Sequence, residues 1–545
     1  MSAPHWTKTM RGALLIGVLA SLASSAALPS PRGDDGKPTQ AQVIILGGGI
    51  AGISLARSLI TDHNVTDILL LEARDELGGR AHTETLYSNA TGQSVTVEKG
   101  CNWIQGPGKE PILELAKKWG LQTAPQNYSD VTWYQGLGIE ADGAQGHFLD
   151  DAEQQEFMAG YDNFLANAPG YSTWRQNNSL VDLSVRVATS IMDWIPVNPL
   201  QLAYEYWNID YTFAQPPEMC SFENAFGQEA GIADQQDDFV IDQRGYKYIF
   251  VQEARELFGQ DLDDPRLRLS TTVQTIDWSA AESGGDIVVH TDCGSFSAPH
   301  VVSTFSVGVL QHQDVHFTPR LPDWKKEAIF TFGMATYQKI FFLYDQQFWG
   351  DEQYIVYADP DQRGRYAVWQ NINAPGFFPQ NTTNNIIMVT ATDTFARRNE
   401  ELSDDEIQAE AFAVLQEIYG ADIPQPADIL VPRWTLDPLY RGSYSNWPIG
   451  ALDQHHANLG QPLGSGKVWL HFSGEAMSED SFGYVQGAWD EGINSANTVA
   501  ACLAGQCPAA EAFEALTTCA QSGTALTRRG APTRRGHGRS VRRHA

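Results

Sequence analysis

The sequence predicts an α/β protein in which a Rossmann-like dinucleotide-binding domain is interrupted by insertions. An apolar run, Val43–Leu46, leads directly into a glycine-rich turn, Gly47–Gly52, and a helix-forming stretch follows. A second apolar run ends at Glu72, twenty residues after Gly52. Strand, glycine turn, helix and strand in this order form the βαβ unit that opens such a domain. With 545 residues, the chain is also long enough for at least two domains.

The glycine turn has the spacing GxGxxG, and each of its glycines has a separate role. Gly47 permits the tight turn, Gly49 lets the backbone approach a pyrophosphate, and Gly52 lets the helix pack against the strand. The first amides of the helix then bind the phosphates. Glu72 stands where a carboxylate binds a ribose 2′-hydroxyl and repels a 2′-phosphate, which disfavours NADP. NAD and FAD share this pattern.

The rest of the chain adds strands and a helical region. Residues 150–240 are helix-like and rich in aromatic side chains. Four further apolar runs predict strands, the second of them followed by a turn: Val273–Trp278, Val301–Gly308, Lys339–Tyr344 and Ile386–Ala391. Because they are scattered, no simple division into two blocks fits the chain.

The two ends of the chain differ in composition from the rest. Residues 1–27 carry Lys8 and Arg11, then an apolar run and small residues, which is typical of a signal peptide and predicts secretion. Residues 28–40 are predicted to be a linker or pro-segment, and residues 506–545 a C-terminal segment with a disordered basic tail. Export agrees with five glycosylation sequons: Asn64, Asn89, Asn127, Asn177 and Asn381.

Charge and cysteine content exclude several classes of function. A net charge of -30 argues against a nucleic-acid partner, because phosphate binding needs clustered cations. Six cysteines are too few to staple a chain of this length, although Cys502 and Cys507 are spaced for a local bridge. The histidine pairs lack HExxH spacing and a third ligand, so no metal site is predicted: His455–His456 and His312/His316.

The segment after Glu72 points to a flavin. Glu72–Arg80 places two arginines around a second Gly-Gly turn. Together with four later segments it resembles the flavin amine oxidase superfamily, and the likeness extends from about residue 42 to 503: Gly100–Gly106, Asp242–Tyr246, Phe472–Glu475 and Gly483–Ala488. Arg441–Pro448 is most similar to secreted polyamine oxidases of the plant type.

The resemblance implies a Rossmann-like FAD-binding domain interrupted by a substrate-binding α+β domain, as in amine oxidases. The FAD-binding domain would comprise residues 41–110, 241–310 and 431–505, and the substrate-binding domain residues 111–240 and 311–430. Glu475 would bind the ribityl chain, and the helix after Gly487 would point its N-terminus at the flavin ring. The implied cofactor-binding residues are Gly47, Gly49, Gly52, Glu72, Arg74, Gly79, Arg80, Asn102, Trp103, Val273, Trp434, Glu475, Tyr484 and Val485.

The implied reaction is oxidation of a small amine by O2. No membrane anchor is expected, because the apolar run near the N-terminus is too short to span a membrane. Lys339 would hold a water against flavin N5, and Tyr444 and Tyr484 would flank the substrate nitrogen. Hydride would pass to N5, the imine would hydrolyse to aldehyde and amine, and O2 would be reduced to hydrogen peroxide. Because no cysteine lies between Cys293 and Cys502, FAD is expected to be non-covalent.

The substrate tunnel departs from the polyamine oxidases. Gln105 and Gln215 stand where those relatives carry acids, and Trp447 is expected to be a further tunnel wall. The substrate is therefore either a less highly charged amine, or other acids replace the missing ones: Glu205, Asp210 or Glu218.

Two alternatives stay open at the level of sequence. An L-amino-acid oxidase would need an arginine to bind the substrate carboxylate, for which Arg244 and Arg433 are candidates. A flavin-binding protein without turnover is the alternative of another class.

Overall fold

The computed structural model describes residues 37–137, 146–226, 236–377 and 385–507. The predicted signal peptide, most of the linker, the basic tail and Asn381 lie outside these ranges. A six-stranded sheet forms the dinucleotide-binding part, with the strand order Leu267–Arg268, Ile68–Leu71, Val43–Leu46, His300–Ser303, Val468–Phe472 and Leu463–Ser465. Its first five strands are parallel, and the last pairs antiparallel.

The central strands of this sheet are apolar because both faces are covered. Every residue of Val43–Leu46 and Ile68–Leu71 is buried, as expected for a parallel sheet between two layers. Helix Ile50–Thr61 packs against the long helix Val485–Leu503 on one face. The predicted βαβ unit is confirmed, with the helix starting at Ile50 rather than Ile53 because Gly49 is its N-cap.

A seven-stranded sheet carries the second part of the molecule. Its order is Asp428–Leu430, Tyr337–Tyr344, Asn385–Thr392, Val368–Asn371, Tyr354–Ala358, Val131–Gln135 and His147–Phe148. The two predicted strands in it are confirmed, and each is two residues longer than expected. The helical prediction for residues 150–240 is confirmed as far as Phe226, where five helices lie, but its last residues, Asp238–Val240, form a strand.

The remaining strands form smaller sheets. A five-stranded sheet has the order Thr39–Gln40, Gly294–Ala298, Ile287–Thr291, Val273–Asp277 and His316–Thr318. A three-stranded sheet contains Trp103–Ile104, Asp238–Val240 and Thr123–Pro125. Two strand pairs complete the set: Thr83–Tyr87 with Ser94–Glu98, and Gly333–Met334 with Ser445–Asn446.

The helices connect these sheets and cover them. The α-helices of the described residues are Ile50–Thr61, Glu110–Trp119, Asp151–Asn177, Val185–Ile191, Pro199–Asn208, Asp210–Phe213, Phe222–Phe226, Lys247–Phe258, Val307–His312, Asp323–Thr331, Asp393–Glu400, Asp404–Tyr419, Asp453–Gly460 and Val485–Leu503. Short 3-10 helices lie at Ala281–Ser283 and Glu475–Met477.

One predicted strand ends earlier than expected, and one possible disulfide is present. The run Val301–Gly308 is a strand only as far as Ser303, and a helix begins at Val307 because the Ser306 hydroxyl accepts a bond from the Val309 amide, as an N-cap does. A disulfide joins Cys502 to Cys507. Over the described residues, no helix combines the length and apolarity that a membrane span requires.

Candidate active site

A cavity of about 560 Å³ begins at the carboxyl ends of the parallel strands and extends to the first residues of strand Tyr337–Tyr344. Such a volume is typical of a cofactor and substrate site. Most of the residues predicted from the sequence line it: Gly47, Gly49, Glu72, Arg74, Gly79, Arg80, Trp103, Gln105, Val273, Lys339, Trp434, Tyr444, Glu475, Tyr484 and Val485.

The glycine turn leaves no room for side chains. Gly47 has φ +108°, and a Cβ there would lie 2.4 Å from Thr304 Oγ1. A Cβ on Gly52 would lie 1.9 Å from the Gly47 carbonyl oxygen, so Gly52 supports the turn without lining the cavity. The backbone next to Gly49 therefore borders the cavity directly, ahead of a helix whose first amides suit phosphate.

The second Gly-Gly turn packs against the first. Gly49 and Gly78 form a parallel bridge, and a Cβ on Gly79 would lie 3.1 Å from Gly49 Cα. Arg74 lies next to this contact, with its guanidinium carbon 5.9 Å from the centre of the Tyr440 ring. The two turns thus form a cradle of bare backbone with an arginine at its edge, which fits an anionic pyrophosphate.

Glu72 is held by the backbone at the cavity wall. Its two carboxylate oxygens accept bonds from the Gly48 amide at 2.6 Å and from the Arg74 amide at 2.8 Å. Burial raises the pKa of Glu72, and these bonds oppose the rise. A carboxylate has more acceptor sites than these two bonds use, so Glu72 fits a ribose hydroxyl.

Glu475 joins three segments at the cavity. Its carboxylate accepts bonds from Arg80 at 2.9 Å, from the Ser445 hydroxyl at 2.6 Å and from the Gly483 amide at 2.6 Å. Burial raises its pKa, but Arg80 and these hydrogen bonds outweigh burial and hold it below the usual value. The ion pair with Arg80 and these hydrogen bonds therefore favour the ionised form of Glu475. Its bond to a ribityl chain stays a prediction.

Lys339 is buried at the other end of the cavity. Its ammonium group donates to the Gly100 carbonyl and to Asn102 Oδ1. Burial lowers its pKa to about 7, although Glu98 attracts the proton charge and opposes this. Asn102 lies behind Lys339 and is not part of the cavity wall, so its contact is with the lysine.

Aromatic rings surround this end of the cavity. Tyr444 and Tyr484 both line it, and a Cβ on Gly106 would lie 2.7 Å from the Tyr484 ring, so a glycine is needed there. The Tyr337 ring is 6.0 Å from the Tyr444 ring. Tyr337 was not predicted, yet it stands two residues before Lys339 on the same strand and therefore on the same face.

Three further lining tyrosines were missed by sequence reasoning. Tyr440 lies at the glycine cradle, where its hydroxyl donates to the Gly79 carbonyl at 3.2 Å. The other two are Tyr128 and Tyr211. They lie in separate segments without a recognisable motif, so only the folded chain brings them to the site. Together with Tyr337, Tyr444 and Tyr484 they are called the tyrosine cluster below.

Two predicted tunnel residues do not belong to the cavity wall. Trp447 packs on Phe332, His456 and Phe482 in the core, at ring distances of 5.2 to 5.7 Å. Gln215 lies beside Gly333 and is not a lining residue. Only Gln105 of the three predicted tunnel residues lines the cavity.

The acids considered as replacements are also elsewhere. Glu205 forms a two-bond ion pair with Arg186, at 2.6 Å for both bonds, and Asp210 forms one with Arg363, at 2.6 and 2.7 Å. Glu218 binds Arg186 as well, at 2.7 Å. None of the three lines the cavity, so this expectation is wrong: arginines already neutralise them.

The candidate arginines for a substrate carboxylate are engaged too. Arg244 pairs with Asp242 at 2.6 Å, and Arg433 pairs with Asp404 at 2.6 Å. Neither lines the cavity. The two arginines that do line it, Arg74 and Arg80, lie at the glycine cradle and at Glu475.

A metal site is not found among the described residues, where no group of three His, Cys, Asp or Glu side chains has the required arrangement.

Known proteins are similar to this chain in sequence. The family model for flavin containing amine oxidoreductases matches residues 50–500. Polyamine oxidase 1 of Zea mays is 34% identical over 92% of this chain and 97% of its own length. Polyamine oxidase 6 of Oryza sativa subsp. japonica is 33% identical, over 90% and 96% of the two chains.

Solved structures of lower identity share the fold. A putrescine oxidase bound to putrescine superimposes with a TM-score of 0.65 at 18% identity, over 85% of this chain and 100% of that chain. Cyclohexylamine oxidase from Brevibacterium oxydans IH-35A gives 0.63 at 19% identity, over 84% and 98%.

The family match covers the second Gly-Gly turn and the segment that carries Lys339, and the cavity between the glycine cradle and Lys339 fits a dinucleotide. The chain therefore belongs to the flavin-containing amine oxidoreductase family, and it is an FAD-dependent amine oxidase similar to the polyamine oxidases.

Proposed function

We propose that this protein oxidises a primary or secondary amine that carries few distal charges. The observation behind the proposal is that one cavity joins the glycine cradle to Lys339 and the tyrosine cluster. When bound there, FAD supplies the hydride acceptor at N5 and passes both electrons to O2, giving hydrogen peroxide. The imine product then hydrolyses to an aldehyde and an amine.

The chain's own residues bind, orient and deprotonate the amine. Tyrosine faces attract an ammonium group and exclude water from the carbon that loses hydride. With a pKa of about 7, Lys339 can hold or release a proton near neutral pH, as a general acid or base must. Because a protonated amine cannot give up hydride readily, we expect activity to rise with pH until the amine is neutral.

The preference for low charge follows from the carboxylates of the cavity wall. Glu72 binds backbone amides, Glu475 binds Arg80, and Asp314 binds Arg441 at 2.8 Å. Each of them already has a protein partner. A distal ammonium of spermidine or spermine would therefore meet the neutral Gln105 and tyrosine rings. It would lack a hydrogen bond to a charged group, which contributes about 1.5 to 3 kcal/mol.

Secretion is part of the same proposal. The signal-peptide pattern and the Cys502–Cys507 disulfide support it, because disulfides persist in oxidising compartments. Four sequon asparagines are exposed, as glycosylation requires: Asn64, Asn89, Asn127 and Asn177.

One assay tests the function against its alternatives. Purified protein with a full complement of FAD is given monoamines, putrescine, spermidine, spermine and L-amino acids, and peroxide release is measured. We expect the highest kcat/KM for an amine with one or two nitrogens. Activity confined to L-amino acids would establish the amino-acid oxidase, and no peroxide from any substrate would leave a flavin-binding protein without turnover.

A further inference from the structure

The Asp242–Tyr246 turn lies outside the cavity but is built around a buried carboxylate. Gly245 has φ +82°, and a Cβ there would lie 3.3 Å from Glu98 Oε1. This close approach lets the Tyr246 amide donate to the same oxygen at 2.5 Å. Asp242 fixes the turn by accepting bonds from Arg244. The conformation of the turn therefore places the Tyr246 amide in hydrogen-bond contact with one oxygen of Glu98.

The second carboxylate oxygen of Glu98, Oε2, differs from the first in its hydrogen bonding. Glu98 ends strand Ser94–Glu98, its carboxyl group is buried, and Oε2 has no hydrogen-bond partner among the described residues. A buried carboxylate with half of its oxygens unpartnered is costly, so another polar group or a proton is expected at Oε2.

A small cavity borders Glu98. Its volume is about 10 Å³, and its wall contains the polar residues Thr96, Glu98, Asn102 and Asp242 beside apolar side chains. This is about the volume that one water molecule needs, and the polar side chains are suitable partners for it. Asn102 in turn accepts a bond from Lys339. Asn102 therefore lies between the two groups: it accepts a bond from Lys339, and it shares the wall of the small cavity with Glu98.

The other charged groups near Glu98 already have partners. Lys247 binds Glu76 at 2.5 Å, and Asp242 binds Arg244 at 2.6 Å. Burial keeps two further neighbours neutral, since it raises the pKa of the Cys101 thiol to about 12 and raises the pKa of the Tyr246 hydroxyl well above its usual value.

Among the described residues near Glu98, Lys339 is the cation whose hydrogen bonds go to neutral oxygens, those of Gly100 and Asn102. Burial lowers the pKa of Lys339 and raises the pKa of Glu98, so the two values approach each other. Burial therefore favours the neutral form of the pair more than water does.

We propose that Glu98 is the proton partner of Lys339. In the neutral form of the pair, Glu98 Oε2 carries the proton that the Lys339 ammonium has lost, so that an ammonium and a carboxylate become an amine and a carboxylic acid. Glu98 is a positioning residue that sets the protonation of Lys339 without touching substrate. The inference rests on the proposed role of Lys339 in amine oxidation.

A double-mutant cycle measures the pairing without turnover. Urea midpoints are determined for the FAD-loaded wild type, Glu98→Gln, Lys339→Met and the double variant. Because each single change leaves one buried charge alone, we expect the double variant to be more stable than the sum of the single shifts predicts. Additive shifts would overturn the proposal. Glu84→Gln, an exposed acid on the neighbouring strand, is the matched control and should show no coupling to Lys339→Met.

A spectral pH titration gives the direction of the effect. The visible absorption of bound oxidised FAD is recorded from pH 5 to 10 without substrate. We expect a transition near pH 7 that Lys339→Met abolishes and that Glu98→Gln moves to lower pH by a unit or more, because the attracting carboxylate is gone. An unmoved midpoint, or no transition in the wild type, contradicts the pairing.

Glu98→Asp replaces Glu98→Gln if the latter does not fold. The shorter carboxylate alters the contact with the small cavity, so the midpoint must move by at least half a pH unit for the proposal to stand. Failure of this inference is distinguishable from failure of the proposed function, because peroxide release from amines tests only the latter.

Discussion

At the scale of single residues, substrate preference depends on which polar side chains of the cavity wall are available to the substrate. Arginines or backbone amides engage Glu72 and Glu475 in the wall, and arginines neutralise Glu205 and Asp210 outside it. Gln105 is half-buried at the wall, and Gln486 fixes its backbone by donating to its carbonyl oxygen at 2.9 Å. A change of charge at Gln105 should therefore act on the substrate rather than on the fold.

Gln105→Glu is expected to shift substrate preference towards polyamines. A carboxylate at this position offers a charge-assisted contact to a distal ammonium, worth about 1.5 to 3 kcal/mol, or roughly a 10- to 100-fold gain in kcat/KM for spermidine relative to a monoamine. Steady-state peroxide assays measure the ratio. Gln215→Glu is the matched control, because Gln215 is not part of the cavity wall, and an equal gain there would contradict the site described here.

At the scale of elements, one buried lysine stabilises a helix end. Lys325 on helix Asp323–Thr331 has no exposed surface, and its ammonium donates to the Asn458 and Leu459 carbonyls at 2.8 and 2.7 Å. These carbonyls end helix Asp453–Gly460, where backbone acceptors lack partners within the helix and carry partial negative charge. Burial lowers the pKa of Lys325, so its ammonium form depends on these bonds.

Lys325→Met is expected to lower stability by about 1 to 3 kcal/mol, because methionine fills similar space but leaves two buried carbonyls without a donor. Thermal unfolding and urea denaturation measure the loss. Lys326→Met is the matched control: it removes an ion pair to the exposed Asp323, which water screens, so we expect little change in stability. Equal stability of the two variants would show that the helix end does not need Lys325.

At the scale of the whole molecule, two sheets meet at the site, since Glu72 follows a strand of the six-stranded sheet and Lys339 lies on the seven-stranded one. The core of the six-stranded sheet contains a histidine pair. His300 Nδ1 and His471 Nε2 are 3.2 Å apart on adjacent strands, and both side chains are buried. This contact needs one ring nitrogen to donate and the other to accept, which two neutral rings provide.

The histidine pair is expected to make the fold sensitive to acid. Burial lowers the pKa of His300 to about 4 and that of His471 to about 3, whereas both bind protons near 6.5 in the unfolded chain. Between these values the unfolded state binds more protons, so stability falls as pH falls, by up to about 1.4 kcal/mol per pH unit for each group.

Urea denaturation at pH 7.5, 6.5, 5.5 and 4.5 measures the slope of the unfolding free energy. His471→Gln removes one titrating group and should reduce that slope. His290→Gln, on an exposed strand position, should leave it unchanged. A wild-type slope that His471→Gln does not alter would assign the acid sensitivity to carboxylates instead.

Local sequence patterns determined the fold class and the glycine cradle, and most of the site residues predicted from the sequence line the cavity. Short spacings were sufficient there, because a positive φ at Gly47 and a carboxylate after the second strand are properties of one βαβ unit. Lys339 was identifiable for a similar reason, since the strand that carries it has a continuous apolar pattern and a family resemblance.

Only the tertiary structure decided which polar groups remain free to act. Asp210 looked available until Arg363, 153 residues away, was seen to neutralise it, and Trp447 packs in the core instead of in the tunnel. Tyr128 and Tyr211 joined the site without any motif, and the Tyr246 amide, in a turn far along the chain, holds one oxygen of Glu98. Burial and charge pairing depend on contacts between distant segments, and no local pattern records them.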